Sequence, residues 1–331
     1  MPYPEGLDLY QLGKETVRGT LVAATSKAAV QRIDFEPTDR FDRPALAKGL
    51  LHRHPGSETV IVRGTRVTIP ETSLVYDQHH HWLTAGVKGG VTATGIDPYT
   101  WTFARSLTAD PAPDTWTLER RATDGTTPID EEWGYFFVTQ YKWIYRADQP
   151  LRFALQGFAR RVQGSTLTAA LALPTIEIPA SPLCKIWIDS TWANLGTTQI
   201  VSQVIRADVT FNTGLQPFHS FDGRTDLDFT AYEFNADACG LDVELEAKVG
   251  AQRATEKTAA EAGTLRAMRL QVLGTQTREF TLDMLLKHDL ATAFKHGVTD
   301  GQEAVTWKLV DSDDGTNMFS AKVVNKTNAL T

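Results

Sequence analysis

Alternation of apolar and polar residues is the feature that most constrains how this chain can fold. Six segments of the N-terminal half show a two-residue period and are rich in Val, Thr, Trp, Phe and Tyr: 58–69, 99–107, 115–121, 133–146, 151–162 and 165–173. Such a period turns alternate side chains toward a core and toward solvent, as in half-buried antiparallel strands. The sequence therefore predicts a mainly β fold.

The same pattern returns after a segment punctuated by Pro174, Pro179 and Pro182. Strands are predicted beyond it at 184–190, 203–212, 226–234, 241–249, 264–273, 278–283, 304–311 and 317–325. Proline interrupts regular structure, which makes this segment the best candidate for a linker. We expect a first module over 1–173, a linker over 174–183 and a second module over 184–331.

Few segments carry a helical pattern. Helices are predicted at 44–52, 71–85, 255–262 and 283–296. The segment 255–262 is rich in Ala and Glu and is followed by Gly263, a favourable helix stop. In each half one helix precedes a strand, which indicates an internal duplication even though the residue identities do not repeat.

Composition excludes some classes of protein. The 331-residue chain has a net charge of −7 and a pI of about 5.6, which argues against a protein that wraps nucleic acid. Cys184 and Cys239 lack the spacing of zinc ligands, so two free thiols are expected in preference to a disulfide. No basic segment followed by an apolar run opens the sequence, and no apolar stretch is long enough to span a bilayer, so neither a signal peptide nor a membrane span is expected.

The stretch YDQHHHW contains the most conspicuous candidate for metal binding. Zinc ligands on a helix lie three or four residues apart, so that two of them share a face. The consecutive residues His79, His80 and His81 spread around a helix, and on a strand only His79 and His81 would share a face, without a third ligand. We therefore expect no metal or cofactor, and a polar helix or loop face that packs at a subunit contact.

Other patterns of catalytic or ligand-binding type are weak. The segment 311–315 (DSDDG) begins like a calcium loop, but its glycine is misplaced and the closing Glu is missing, so a hairpin turn is expected. The pairs Arg120-Arg121 and Arg160-Arg161 are expected to form salt bridges between subunits. A hydrolase that uses Asp130 and Glu131 ranks lowest, because it needs two carboxyl groups that converge across a groove. No catalytic residue is expected.

The order of segments resembles a known family. WTFARSLTADPAPDTWTLERRATDG is followed by WGYFFVTQYKWIYRADQPLRFALQGFARRV, and the second half ends in AVTWKLVDSDDGTNMFSAKVVNK. Over most of the chain this succession resembles the major tail tube proteins of long-tailed (siphovirus-type) bacteriophages. The resemblance implies two tandem β-sandwich or barrel modules, each with a short flanking helix, in a structural virion protein that is no enzyme.

The resemblance also implies a mode of assembly. Such proteins form stacked rings in which the inner strands of neighbouring subunits build one β-barrel, and DNA passes the lumen without specific binding. Two modules in one chain favour a trimeric ring of pseudo-sixfold symmetry over a hexamer. The implied partners are further copies, a tape measure protein and a tail terminator, and not a membrane. The implied location is the virion tail tube, after assembly in the host cytoplasm.

Strand 241–249 supplies candidates for the lumen. Its odd-numbered residues are apolar and are expected to face the core, whereas Asp242, Glu244 and Glu246 face the other way. Carboxylates around a channel would repel DNA instead of gripping it. The loops 34–57 and 86–98, rich in Pro, Gly and charge, are candidates for contacts between rings.

A binding module is the alternative function. Eight tryptophans could stack on sugar rings in a carbohydrate- or receptor-binding β-sandwich of a virion. That function needs exposed aromatic residues in one cleft. Trp101, Trp143 and Trp307 instead fall on the strand faces predicted to be core.

Overall fold

The computed structural model describes residues 8–42, 59–123, 128–162, 167–169, 171–200, 203–223, 225–248, 251–275, 277–289, 295–299 and 302–330. The strands of the first half are β1 (Leu9–Lys14), β2 (Ser26–Lys27), β3 (Asp34–Pro37), β4 (Arg40–Asp42), β5 (Thr59–Val62), β6 (Thr65–Ser73), β7 (Tyr99–Ala104), β8 (Trp116–Thr123), β9 (Pro128–Arg146) and β10 (Arg152–Val162). Helix α1 (Tyr76–Thr84) lies between β6 and β7. The prediction of a mainly β fold is confirmed.

The second half has the same character. Its strands are β11 (Cys184–Asp189), β12 (Val204–Phe218), β13 (Ala231–Lys248), β14 (Arg266–Leu273), β15 (Glu279–His288), β16 (Lys295–Thr299), β17 (Gln302–Asp311) and β18 (Phe319–Asn325). Helix α2 (Ala251–Glu261) follows β13 and overlaps the helix predicted at 255–262. Short 3₁₀ turns occupy Ser181–Leu183 and Trp192–Asn194.

The described strands join in one large antiparallel sheet. Its main path runs β11-β14-β15-β17-β13-β12-β9-β10-β6-β3, and β4 and β5 form a separate pair. The two halves of the chain meet where β12 pairs with β9 and where β18 pairs with β7. Both contacts are antiparallel ladders, so the two halves of the chain contribute side chains to the same faces of the sheet.

One apolar core lies under this sheet. It contains residues of both halves, and the rings of Trp143, Phe211 and Phe319 pack together in it. Trp101, Trp143 and Trp307 are at most 1% exposed, which confirms their prediction as core residues. Burial of each large apolar side chain contributes about 1.5–3 kcal/mol relative to exposure.

The helix predicted at 283–296 is wrong over its described residues. Residues up to His288 belong to β15, and 295–299 form β16. Strand β15 lies between β14 on one side and β17 and β18 on the other, and both of its faces are buried. A strand buried on both faces has a continuous apolar run and not an alternating one, so its sequence imitates a buried helix. The helix predicted at 44–52 lies outside the described residues.

Two further boundaries differ from the prediction. Residues 71–73 end strand β6, so helix α1 begins only at Tyr76. The described residues of the strand predicted at 165–173 form no strand. There the amides of Leu167 and Thr168 donate to the carboxylates of Asp130 and Glu119, so the segment is held by side chains.

The proline-rich segment 174–183 packs against both halves. Its residue Ala180 bridges to Pro150, and the carbonyl of Glu177 accepts from the amide of Tyr76. The Glu177 carboxylate accepts from Arg278 of the second half at 2.8 Å. The segment therefore joins the two halves through contacts as well as through the chain.

Candidate functional site

Helix α1, which carries the histidine run, lies inside the fold. All nine of its residues are buried. The indole N–H of Trp143 donates to His79 Nε2 at 2.9 Å, and the ring of His80 stacks on Trp101 with centroids 4.8 Å apart. The prediction that YDQHHHW packs at a subunit contact is wrong, because the helix fills the core of its own subunit.

The histidines are neutral at physiological pH. Burial lowers the pKa of His79 and of His81 to about 3, and it lowers the pKa of His80 well below the ordinary value. A buried imidazolium has lost its hydration, and among the described residues no carboxylate contributes to the pKa of these rings, so the neutral form is favoured. Among the described residues, no group of three or more His, Cys, Asp and Glu is arranged to hold a metal ion.

The basic pairs predicted to bridge subunits find partners within the chain. Arg120 contacts Asp8 at 2.9 Å, and Arg121 contacts Asp130 at 2.7 Å. The guanidinium of Arg160 lies over the ring of Tyr135 and donates to the carbonyl of Phe229. These three arginines therefore contribute to contacts within the subunit, and the salt bridges between subunits stay a prediction.

The acidic patterns are likewise structural. Asp130 is held by Arg121, and Glu131 lies 3.5 Å from Arg120, so the two carboxylates are each paired with a cation. The segment 311–315 does not close a hairpin, because β17 and β18 both pair with β15 and not with each other. There Asp314 accepts from the amides of Thr316 and Asn317, which forms a local turn.

The long strands present a broad polar face. In the seven neighbouring strands β17-β13-β12-β9-β10-β6-β3, most paired segments alternate buried apolar residues on one face with partly exposed polar residues on the other. Strand β3 has no buried residue, and residues 133–138 of β9 are buried without interruption. Along β13 the described odd-numbered residues predicted as core are at most 1% exposed: Leu241, Val243, Leu245 and Ala247. Asp242, Glu244 and Glu246 lie on the opposite face, in the second strand from one end of this seven-stranded region.

Cations accompany these carboxylates. Glu244 lies opposite Lys308 and Glu246 opposite Arg206 in the ladders, and Lys308 approaches Asp242 to 3.7 Å. The polar face therefore carries both signs of charge in register and is not uniformly acidic.

Asp208 is the most enclosed charge on this face. It is 6% exposed and accepts from Arg146 at 2.6 Å and from Arg206. Burial raises its pKa, but the two guanidinium groups outweigh burial and leave the pKa below its ordinary value. The charge network fixes β12 against β9, which is the ladder between the two halves of the chain.

The outer half of the β12–β13 hairpin folds over this face near β9. Tyr135, Phe137, Leu215 and Phe229 form a second, smaller core there. Beyond it Phe221 is fully exposed. The hairpin is therefore anchored near its base and presents an apolar side chain at its tip.

A cleft of about 640 Å³ lies beside this hairpin. It is lined by residues that include Arg63, Asp39 and Asp226, and no Trp, Tyr or Phe lines it. Sugar-binding sites commonly use exposed aromatic rings as stacking platforms. The cleft gives no support to the carbohydrate-binding alternative.

Sequence reasoning missed the ladder between β12 and β9. Alternation tells which face of a strand is buried but not which strand lies beside it, so this junction had no local signal. The only related signal is length, since β9, β12 and β13 are the longest described strands and need long neighbours.

Comparison with known proteins gives no family assignment. No protein-family model matches the sequence, and no curated protein matches it significantly. In the described part of the chain, neither helix has the length and apolar character needed to cross a membrane.

Proposed function

We propose that this protein is a structural subunit of a phage-type tail tube and acts by self-assembly and not by catalysis. The seven-stranded region with a buried apolar face and a mixed polar face carries this proposal. A sheet with two such faces suits the wall of a water-filled channel, because its polar face would contact the lumen while its apolar face packs on an outer layer.

The order of elements supports two tandem modules. The first half runs β1, β2, the pair β3 and β6 with β4 and β5 between them, α1 and then β7 to β10. The second half runs β11, the β12–β13 hairpin, α2 and then β14 to β18. Modules over 1–173 and 184–331 fit this order, and three chains with two modules each would form a ring of pseudo-sixfold symmetry.

The mixed charge of the polar face suits a channel for DNA. Asp242, Glu244 and Glu246 would face the lumen, where neighbouring Arg and Lys side chains partly neutralise them. Such a surface has no strong field that holds phosphates, so DNA would slide past without specific binding. Partners in the proposed virion tail are further rings of the same chain, a tape measure protein and a tail terminator.

Electron microscopy of the purified full-length chain over a concentration series tests the proposal. Hollow rings or tubes with a central channel are the expected result, and the symmetry of the ring distinguishes a trimer from a hexamer. A monomer at every concentration would contradict the tube function.

A further inference from the structure

The chain contains one example of how two four-stranded units join. The first half contributes β9-β10-β6-β3 to the large sheet, and the second half contributes β16-β17-β13-β12. The units meet where the last strand of the second unit, β12, pairs with the first strand of the first unit, β9. A junction of this type needs one free β12-like edge and one free β9-like edge.

The same two types of edge lie at the outer ends of the sheet. In the described residues β3 has a single partner, β6, and β16 has a single partner, β17. Strand β3 corresponds to β12, because each pairs with the strand that precedes the helix. Strand β16 corresponds to β9, because each pairs with the strand that follows it in the chain.

The ladders also align, apart from one extra residue of β6 at the bulge between Phe153 and Leu155. Thr72 and Ala247 lie four residues before the first residue of α1 and of α2, respectively, and both are buried. Thr72 pairs with Phe153, as Ala247 pairs with Val305. Phe153 also pairs with Trp143 in β9, so its counterpart in β16 is the residue that pairs with Val305.

That counterpart is His296. Four residues further along β10 and β17, Gly157 pairs with Val67 just as Leu309 pairs with Val243. Val67 and Val243 pair in turn with Phe35 of β3 and Val209 of β12, which are therefore equivalent.

We infer that copies of this chain join edge to edge, with β3 of one copy antiparallel to β16 of the next. Val209 lies opposite Trp143 within the chain, so Phe35 lies opposite His296 of the next copy. One residue on, Glu36 lies opposite Lys295 of the next copy, an acid opposite a base. The ladder ends at Pro37, which has no N–H to donate.

This contact is head-to-tail, since its two surfaces differ. Repetition of a head-to-tail contact closes into a ring when the rotation permits. Closure also pairs the two edges that would otherwise be exposed to uncontrolled strand addition. The inference deepens the proposed function, and it rests on that proposal for ring closure but not for the pairing of the edges.

Cysteine cross-linking tests the register in the full-length chain. Glu36→Cys and Lys295→Cys are combined in a background that carries Cys184→Ser and Cys239→Ser, and a short bifunctional thiol reagent is added. We expect covalent dimers and higher species on a denaturing gel, because directly opposed Cβ atoms lie about 5 Å apart. The control pairs Glu36→Cys with Lys257→Cys on the exposed face of α2 and should remain monomeric.

The outcomes separate the two proposals when the same samples are viewed by electron microscopy. Cross-linked species together with tubes support both. Tubes without cross-linked species overturn the edge pairing and leave the tube function intact. Cross-linked species without rings or tubes support the pairing and contradict the tube, and a monomer without cross-links overturns both.

A charge exchange gives a second measurement that needs no cysteine. Glu36→Lys places a base opposite Lys295 and should raise the concentration needed for assembly by up to about five-fold, as expected for one cross-strand pair. Lys295→Glu in the same chain should restore assembly. Failure of the second change to rescue the first contradicts this register.

Discussion

Burial of His79, His80 and His81 couples the stability of the fold to pH. In the unfolded chain these side chains bind protons near pH 6.5, whereas burial lowers the folded pKa of His79 and His81 to about 3. Between these values the unfolded state binds more protons, so the free energy of unfolding falls as the pH falls. Each such histidine should cost about 2 kcal/mol at pH 5 relative to pH 7.5.

The free energy of unfolding, measured by chemical unfolding at several pH values between about 4.5 and 7.5, checks this expectation. His79→Gln removes one titrating group but keeps an oxygen that can accept from the Trp143 indole N–H. Its free energy of unfolding should therefore depend less steeply on pH than that of the wild type. Equal slopes for the two proteins would show that His79 is not responsible.

Arg278 is the residue whose charge is most deeply enclosed by carboxylates. It is 2% exposed and donates to Asp77 of α1 at 2.7 Å and to Glu177 at 2.8 Å. We expect Arg278→Met to lower the free energy of unfolding by about 3–5 kcal/mol, because it leaves Asp77 buried without its cation. Thermal or urea unfolding provides the measurement.

An exposed arginine serves as the matched control for this change. Arg152 contacts Glu71 at 3.1 Å, and both side chains are at least 40% exposed. Arg152→Met should cost no more than about 1 kcal/mol. Equal losses for the two variants would contradict a special role for burial at Arg278.

At the scale of elements, alternation predicted the strands that have one buried face and the first half of β15, and it failed over the second half of β15, which is buried on both faces. The faces of β13 and the core positions of Trp143 and Trp307 follow directly from the two-residue period. Both faces of strand β15 are buried, so its sequence does not alternate in its second half, and the helix prediction there was wrong. A local apolar pattern reports that residues are buried. Whether the buried residues form a helix or a strand is decided by the tertiary structure.

The β12–β13 hairpin offers a test of how one element is held. Phe229 is fully buried in the small core with Tyr135 and Phe137. Phe229→Ala should lower the free energy of unfolding by about 3–5 kcal/mol and speed amide exchange in 215–234 more than in 206–212. Hydrogen exchange followed by mass spectrometry resolves these segments.

Phe221 at the tip of the same hairpin is the natural comparison. Its ring is fully exposed, so Phe221→Ala should change stability by less than about 0.5 kcal/mol. If both variants exchange alike, the small core does not anchor the hairpin.

At the scale of the whole molecule, the candidate site was predictable in part. Alternation alone placed Asp242, Glu244 and Glu246 away from the core, and the structure agrees. The cations beside them come from strands distant in sequence, such as Arg206 in β12 and Lys308 in β17. Net charge along one strand therefore overestimated how acidic the face is, because register decides which charges become neighbours.

The charge of this face gives a prediction for assembled tubes. Replacement of Asp242, Glu244 and Glu246 by Lys changes the charge of each chain by +6 and leaves the nearby cations unbalanced. We expect these tubes to retain short DNA fragments and to protect them from nuclease at moderate salt, while wild-type tubes do not. Because the attraction is electrostatic, high salt should abolish the protection.

A variant with the same total charge isolates the position of the carboxylates. Asp97, Asp148 and Glu261 are exposed and lie outside the polar face of the seven strands, and their replacement by Lys also adds +6. Such tubes can bind DNA only on surfaces that nuclease reaches, so the DNA should be digested. Protection by the Asp242, Glu244 and Glu246 variant alone would place these carboxylates in the lumen. Digestion in both variants would place them elsewhere and would leave the polar face without its proposed role.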